Sequence, residues 1–266
     1  MSDIPPYVRV KVFGERASGT NFLARLLYAN FKVEPLLHAD PNTHSDVQPV
    51  RAISLGEKAR GAIGERIEDY LHETTMATTG GWKHACLTDK LFRTLENSPE
   101  VLFICISRHP ALWIRSFFRN PFSGFCEDAP DIETMLRTPW VSRPRDELAE
   151  LVLPGPAILW RRKHESYLRY AHAKRNVKLL RHEDVLRDPN TVLDLLAPLM
   201  TRRRDAWGLP KGYGRTWQDG QDLQERDFFQ IRDELPEDPW AEISSDAAEI
   251  LRSQIGAPLL EKLGYD

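Results

Sequence analysis

The sequence is short of cysteine, of long apolar runs and of net charge, and each shortage removes a class of protein. Its three cysteines, Cys86, Cys105 and Cys126, fit no zinc spacing, and an odd number does not build a disulfide framework. Cys105 lies inside an apolar run and reads as a small core residue. The longest apolar run, Val101 to Ile106, is far too short to cross a bilayer. The opening residues, MSDIPPYVRVKV, carry neither the basic start nor the apolar stretch of a secretion signal, so a cytoplasmic chain is expected. A formal net charge of -3 provides no overall basic field for nucleic acid. The local clusters Arg161-Arg162-Lys163 and Arg202-Arg203-Arg204 read as a solvated helix face or loop. No linker, repeat or low-complexity tract divides residues 1–266, so a single domain is expected.

What is present is a series of strand-turn-helix units. Val8 to Phe13 reads as a strand, Gly14 to Gly19 as a tight turn, and Asn21 to Phe31 as a helix with Phe22, Leu23, Leu26 and Leu27 on its apolar face. That order aims backbone N–H groups and a positive helix end at one point, which suits a phosphate or a sulfate. The spacing Gly14-x4-Gly19 is that of a P-loop. Thr20 stands where a nucleotide-hydrolysing P-loop has Lys, and Asn21 where it has Ser or Thr.

A second unit follows at Val101 to Ser107, an apolar run suited to a strand buried on both faces. It ends at Arg108-His109, and Pro110 suits the first turn of a helix to about Arg119. A third is Val177 to Leu180, followed by Arg181-His182-Glu183-Asp184, with Asp188-Pro189 opening a helix to about Met200. Residues 36–56 read as a polar loop whose His38 and His44 are solvated, and Glu57 to His72 as a helix. Trp82 to Leu87 reads as a short strand, and Thr88 to Asn97 as a helix. Prolines 121, 130, 139, 144, 154 and 156 mark an irregular insertion over 120–156, with short helical patterns at Ile132–Arg137 and Asp146–Leu151. Helices are expected over Ala157–Ala173, Leu223–Leu235 and, as one continuous element, Ser245–Leu263. The alternation predicts an α/β fold, a three-layer sandwich around a mostly parallel sheet, with ligands at the strands' carboxyl ends.

These turns together resemble the sulfotransferase family, in its bacterial form. Its members have a P-loop-like fold and move a sulfuryl group from 3′-phosphoadenosine 5′-phosphosulfate (PAPS) to a hydroxyl or amine. Ser18-Gly19-Thr20-Asn21 is similar to the family's S-G-T-T loop, which wraps the 5′-phosphosulfate. Arg108-His109-Pro110 with Ser116 is similar to its R-N-P…S element, in which Arg and Ser bind the 3′-phosphate. His182-Glu183-Asp184-Val185-Leu186-Arg187-Asp188-Pro189 resembles its Y-E-D-L-x-x-D-P segment, whose aromatic residue lies near the adenine. Trp82-Lys83-His84 resembles the short K-x-H strand with the catalytic histidine. LLEKLGY at the close, Leu259 to Tyr265, is similar to the family's usual ending.

The resemblance implies a transferase using PAPS and no metal, acting on a hydroxyl acceptor such as a carbohydrate. Ala17, Ser18, Gly19, Thr20 and Asn21 would hold the 5′-phosphosulfate. Arg108 and Ser116 would hold the 3′-phosphate, with Lys211 and Arg215 as further ligands from an approximate echo of the family's R-K-G-x-x-G stretch. His182 would stack on adenine, or be a plain surface histidine after a strand. His84 would be the general base, against a histidine merely bonded to a neighbour. The family's loop has Lys or Arg directly before the Ser; here that place is Ala17, and Arg16 or Lys83 would have to replace it. Two other functions compete: a non-catalytic module binding 3′-phosphoadenosine 5′-phosphate (PAP) or another nucleotide, and a P-loop kinase, which Thr20 and Asn21 argue against. The acceptor and the oligomeric state are left open.

Overall fold

A computed structural model describes residues 6–37, 57–119, 129–210, 212 and 227–266. Strands β1 (Arg9–Phe13), β2 (Glu34–Pro35), β3 (Val101–Ser107) and β6 (Val177–Arg181) form one parallel sheet in the order β2-β1-β3-β6. Between β2 and β3 run α2 (Glu57–Thr74), α3 (Met76–Thr79) and α4 (Asp89–Thr94), and helix α1 (Thr20–Asn30) joins β1 to β2. After β3 come α5 (Pro110–Arg119), α6 (Ile132–Arg137), a small antiparallel pair β4 (Trp140–Val141) and β5 (Val152–Leu153), and α7 (Pro156–Ala173). Beyond β6 lie α8 (His182–Arg187), α9 (Pro189–Leu196), α10 (Phe228–Asp233), α11 (Ser245–Ile255) and α12 (Ala257–Leu263). The expected α/β class with a central parallel sheet and helices on both faces is what forms.

The sheet is continuous core because β3 is buried at all seven positions. Alternate residues serve opposite faces. Leu102, Ile104 and Ile106 join Val10 and Val12 against Phe22, Leu23, Leu26 and Leu27 of α1. Val101, Phe103 and Cys105 pack the other way, with Leu91 of α4 and Tyr167 and Tyr170 of α7. A third cluster gathers Trp113 and Phe117 of α5, Trp160 of α7 and Leu251 and Ile255 of α11 around the sheet's flank.

The chain leaves β1 for β2 on one side and returns at β3 on the other. The carboxyl ends of β1 and β3 therefore flank a topological switch point, where ligands of open α/β sheets bind. The Gly14–Gly19 turn lies there, with Arg108 just beyond β3.

Four expectations need correction. Trp82–Leu87 is a chain of turns and irregular backbone, not a strand: its backbone meets the β1 end where Gly14 N donates to Lys83 O at 3.0 Å. Ser245–Leu263 is two helices, since Gly256 adopts φ 90° and Pro258 follows within the first turn of α12. Asp146–Leu151 is not helical; a 3-10 turn, Pro144–Asp146, leads into β5. Lys163 is not on a solvated face but is fully buried. His38, His44, Cys126, Lys211 and Arg215 lie outside the described residues. Among the described residues no helix is long and apolar enough to cross a membrane.

Candidate active site

The glycine turn is shaped by a close approach. A Cβ on Gly14 would meet Ile106 Cγ2 at 2.6 Å and the Ile106 carbonyl oxygen at 2.9 Å, so only glycine lets β1 leave the sheet beside β3. Ala17 and Gly19 are left-handed, at φ 63° and 83°. For alanine that conformation costs about 1–2 kcal/mol, and surrounding bonds hold it. Arg108 Nη1 donates to the Ala17 carbonyl at 2.7 Å, and the Trp113 indole donates to the Arg16 carbonyl at 3.0 Å. Arg16 N donates to Glu15 Oε1 at 2.7 Å, and Ser18 N to the Glu15 carbonyl at 3.1 Å.

Two features leave this turn short of acceptors. Gly19, the residue that opens α1, supplies no side-chain cap, and the first turn of α1 holds no acidic residue. The helix therefore presents uncapped N–H groups and the positive end of its dipole. Ser18 Oγ is buried and has no hydrogen-bond partner among the described residues. A buried hydroxyl without a partner is costly unless something supplies one. An anion seated at the turn would supply acceptors to both.

Lys83 and His84 stand over the same turn. Lys83 Nζ donates to Asn21 Oδ1, in the first turn of α1, at 2.7 Å. His84 Nδ1 lies 2.6 Å from the Gly14 carbonyl. A carbonyl only accepts, so Nδ1 carries the proton and Nε2 keeps its lone pair. Burial first, then the Lys83 and Arg16 charges, pushes the imidazole well below its ordinary value, so it is neutral near pH 7. Lys83 is itself lowered, by burial and then by Arg16. Crowded cations with depressed affinities for protons favour an arriving anion. The Arg16 guanidinium lies over the Trp82 ring at 5.1 Å, the same ring that Arg145 covers at 4.9 Å, and it is lowered chiefly by burial.

The structure thus gathers Arg16, Ala17, Ser18, Gly19, Thr20, Asn21, Lys83, His84 and Arg108 at the switch point. Ser116 is half-buried on α5 and makes no hydrogen bond to Arg108 among the described residues. His182 requires a correction. It is buried at 1% exposure, with Nδ1 3.9 Å from a Glu183 carboxylate oxygen, so it is neither a surface residue nor open for a base to stack upon. The neighbouring Glu183 fixes the turn. It accepts from His109 N at 2.9 Å and from the Tyr265 hydroxyl at 3.2 Å. Burial pushes its carboxyl up, but the His182 imidazole first and then the His109 amide outweigh burial and hold it down at about 2.

Sequence reasoning missed Glu15, Trp113 and Lys163. Lys163 had a signal: it falls at helical spacing among Trp160, His164 and Tyr167, a stripe that is otherwise core. No protein-family model matches this chain, and no curated protein matches it.

Proposed function

We propose that the protein is a PAPS-dependent sulfotransferase on a P-loop-like fold, acting on a hydroxyl acceptor. The observation that carries this reading is His84: its Nδ1–H is committed to Gly14 O, and its basic Nε2 is kept neutral at the mouth of an uncapped, acceptor-poor turn. The residues fit the donor group. Ser18 Oγ and the amides opening α1 supply hydrogen bonds to a phosphosulfate, and Lys83 and Arg108 supply charge.

The chemistry asked of the chain is modest. The acceptor oxygen forms a bond to sulfur as the bond between sulfur and the bridging oxygen breaks, and PAP leaves with that bond's electrons. His84 Nε2 takes the acceptor's proton. The Lys83 ammonium stabilises the negative charge growing on the leaving phosphate, and the turn's N–H groups stabilise the equatorial oxygens. Lys83 is assigned the role of the lysine missing at position 17, because it reaches Asn21 at the helix start while Arg16 lies on Trp82.

A titration with PAP, beside ADP and ATP with magnesium, tests the reading. Tight PAP binding without metal, with sulfuryl transfer from PAPS to hydroxyl compounds, is expected. Preference for ATP with magnesium would overturn it. The absence of a Lys or Arg directly before Ser18, where Ala17 stands, favours one rival, a module that binds PAP without transfer; PAP binding with no turnover on a broad acceptor panel identifies it.

A further inference from the structure

Lys163 is a buried ammonium where the helix pattern calls for an apolar residue. Its Nζ lies 2.6 Å from Glu15 Oε2 and 2.8 Å from Asp146 Oδ1, and 5.3 Å from the centre of the Trp82 ring. Both carboxylates are also sealed, at 1% and 3% exposure. A buried ion cluster of this kind is a poor source of stability, because desolvation offsets most of the attraction. Its value lies in what the two carboxylates hold.

Glu15 opens the glycine turn, and its second oxygen accepts from Arg16 N. Asp146 ends the 3-10 turn of the insertion, and its carbonyl accepts from Cys86 N at 2.9 Å, two residues after His84. The rest of the same helical face grips that segment as well: Tyr167 OH donates to the Ala85 carbonyl at 3.0 Å, and Leu87 N donates to Ser166 Oγ at 3.0 Å. One ammonium on α7 is therefore the common anchor of the anion-binding turn and the segment carrying the base.

We infer that Lys163 is a positioning residue: through Glu15 and Asp146 it fixes the distance between the glycine turn and His84, and so aligns donor and base. This rests on the proposed transfer activity, in which His84 must face a sulfur held at the turn. Reaction rates fall steeply when such a pair is misplaced by an ångström, even where each partner still binds.

The test is a kcat-against-KM split. Lys163→Met alone strands two buried carboxylates, so the informative protein is the neutral combination Lys163→Met with Glu15→Gln and Asp146→Asn. It is expected to keep PAP affinity within threefold and to lose at least tenfold in kcat. A combined variant with wild-type kcat overturns the inference. Asp146→Asn is the second variant, retaining the side chain's size. It is expected to lower kcat severalfold and to speed hydrogen exchange at the Arg16 and Cys86 amides, and unchanged values of both overturn the inference even if the combined variant does not fold. Failure of the wild-type protein to bind PAP would instead sink the sulfotransferase reading, and the exchange measurement would still decide whether Lys163 holds the two segments.

Discussion

His84 donates from Nδ1 to the carbonyl of Gly14, 70 residues earlier and 2.6 Å away, so the turn that would hold the donor also sets the tautomer of the base. The imidazole needs no carboxylate to orient it; a backbone oxygen just past the end of β1 does so. His84→Ala is expected to leave PAP affinity within twofold and to lower kcat by roughly 10²–10⁴, the usual worth of a positioned base. His84→Gln, which can still donate to Gly14 O, should be equally slow. Calorimetry and a transfer assay check both, and unimpaired turnover of either variant removes His84 from the mechanism.

Lys83 and Arg16 separate by where their charges lie. Lys83 reaches the first turn of α1, whereas Arg16 covers Trp82. Lys83→Met is expected to lower kcat by about 10² or more, the scale seen when one transition-state donor is removed. Arg16→Met should lower it less than tenfold. Steady-state kinetics on the two variants side by side check the assignment, and the reverse order would return the role to Arg16.

Much of this was legible in the sequence. β3 was plain from an apolar run with no polar interruption, and the turn from glycines flanked by a strand and an amphipathic helix. What escaped has a common cause: it depends on which distant segments meet. Trp82–Leu87 has strand composition, yet among the described residues it pairs with no strand; the bonds to Gly14, Asp146, Ser166 and Tyr167 take its backbone instead. Lys163 reads as one of three consecutive basic residues until Glu15 and Asp146, from remote parts of the chain, arrive beside it. His182 reads as exposed because it follows a strand, but Glu183 and Tyr265 close the core over that turn. The apolar residues Ala248, Leu251, Ile255 and Leu259 recur at helical spacing across the break, so they read as one helix although Gly256 and Pro258 divide it.

Two positions of the turn, Gly14 and Ala17, respond oppositely to a change of one carbon. Gly14→Ala drives a methyl into the Ile106 side chain and carbonyl, and overpacking against fixed backbone costs about 1–3 kcal/mol. It is expected to lower thermal stability and weaken PAP binding together. Ala17→Gly removes the left-handed strain at φ 63° and is expected to stabilise the protein by about 1 kcal/mol. Thermal melts of the two variants check the pair. A destabilised Ala17→Gly would mean that the Ala17 methyl's packing in the flanking cluster outweighs its backbone strain.

Stability should fall in two stages as the solution is acidified. Burial holds His109 down at about 4 and His164 at about 3, and it lowers His182 and drives His84 well below the ordinary value. A histidine depressed in this way stabilises the fold above its unfolded value near 6.5, and that contribution is lost as pH falls towards the folded value. For His109 alone the loss is on the order of 3 kcal/mol. Glu183, depressed from 4.5 to about 2, adds a separate loss that begins only below about 4.5. The melting temperature is therefore expected to drop from pH 6.5 downwards and to drop more steeply below pH 4.5. Glu183→Gln should remove the part of the second stage that Glu183 contributes and deepen the first, because the Glu183 charge partly offsets the lowering of His109 and His182, at a lower starting stability because a neutral amide is a weaker acceptor for His109 N and the Tyr265 hydroxyl. A melting temperature flat between pH 6.5 and 5 would show that burial does not hold these imidazoles below their ordinary value.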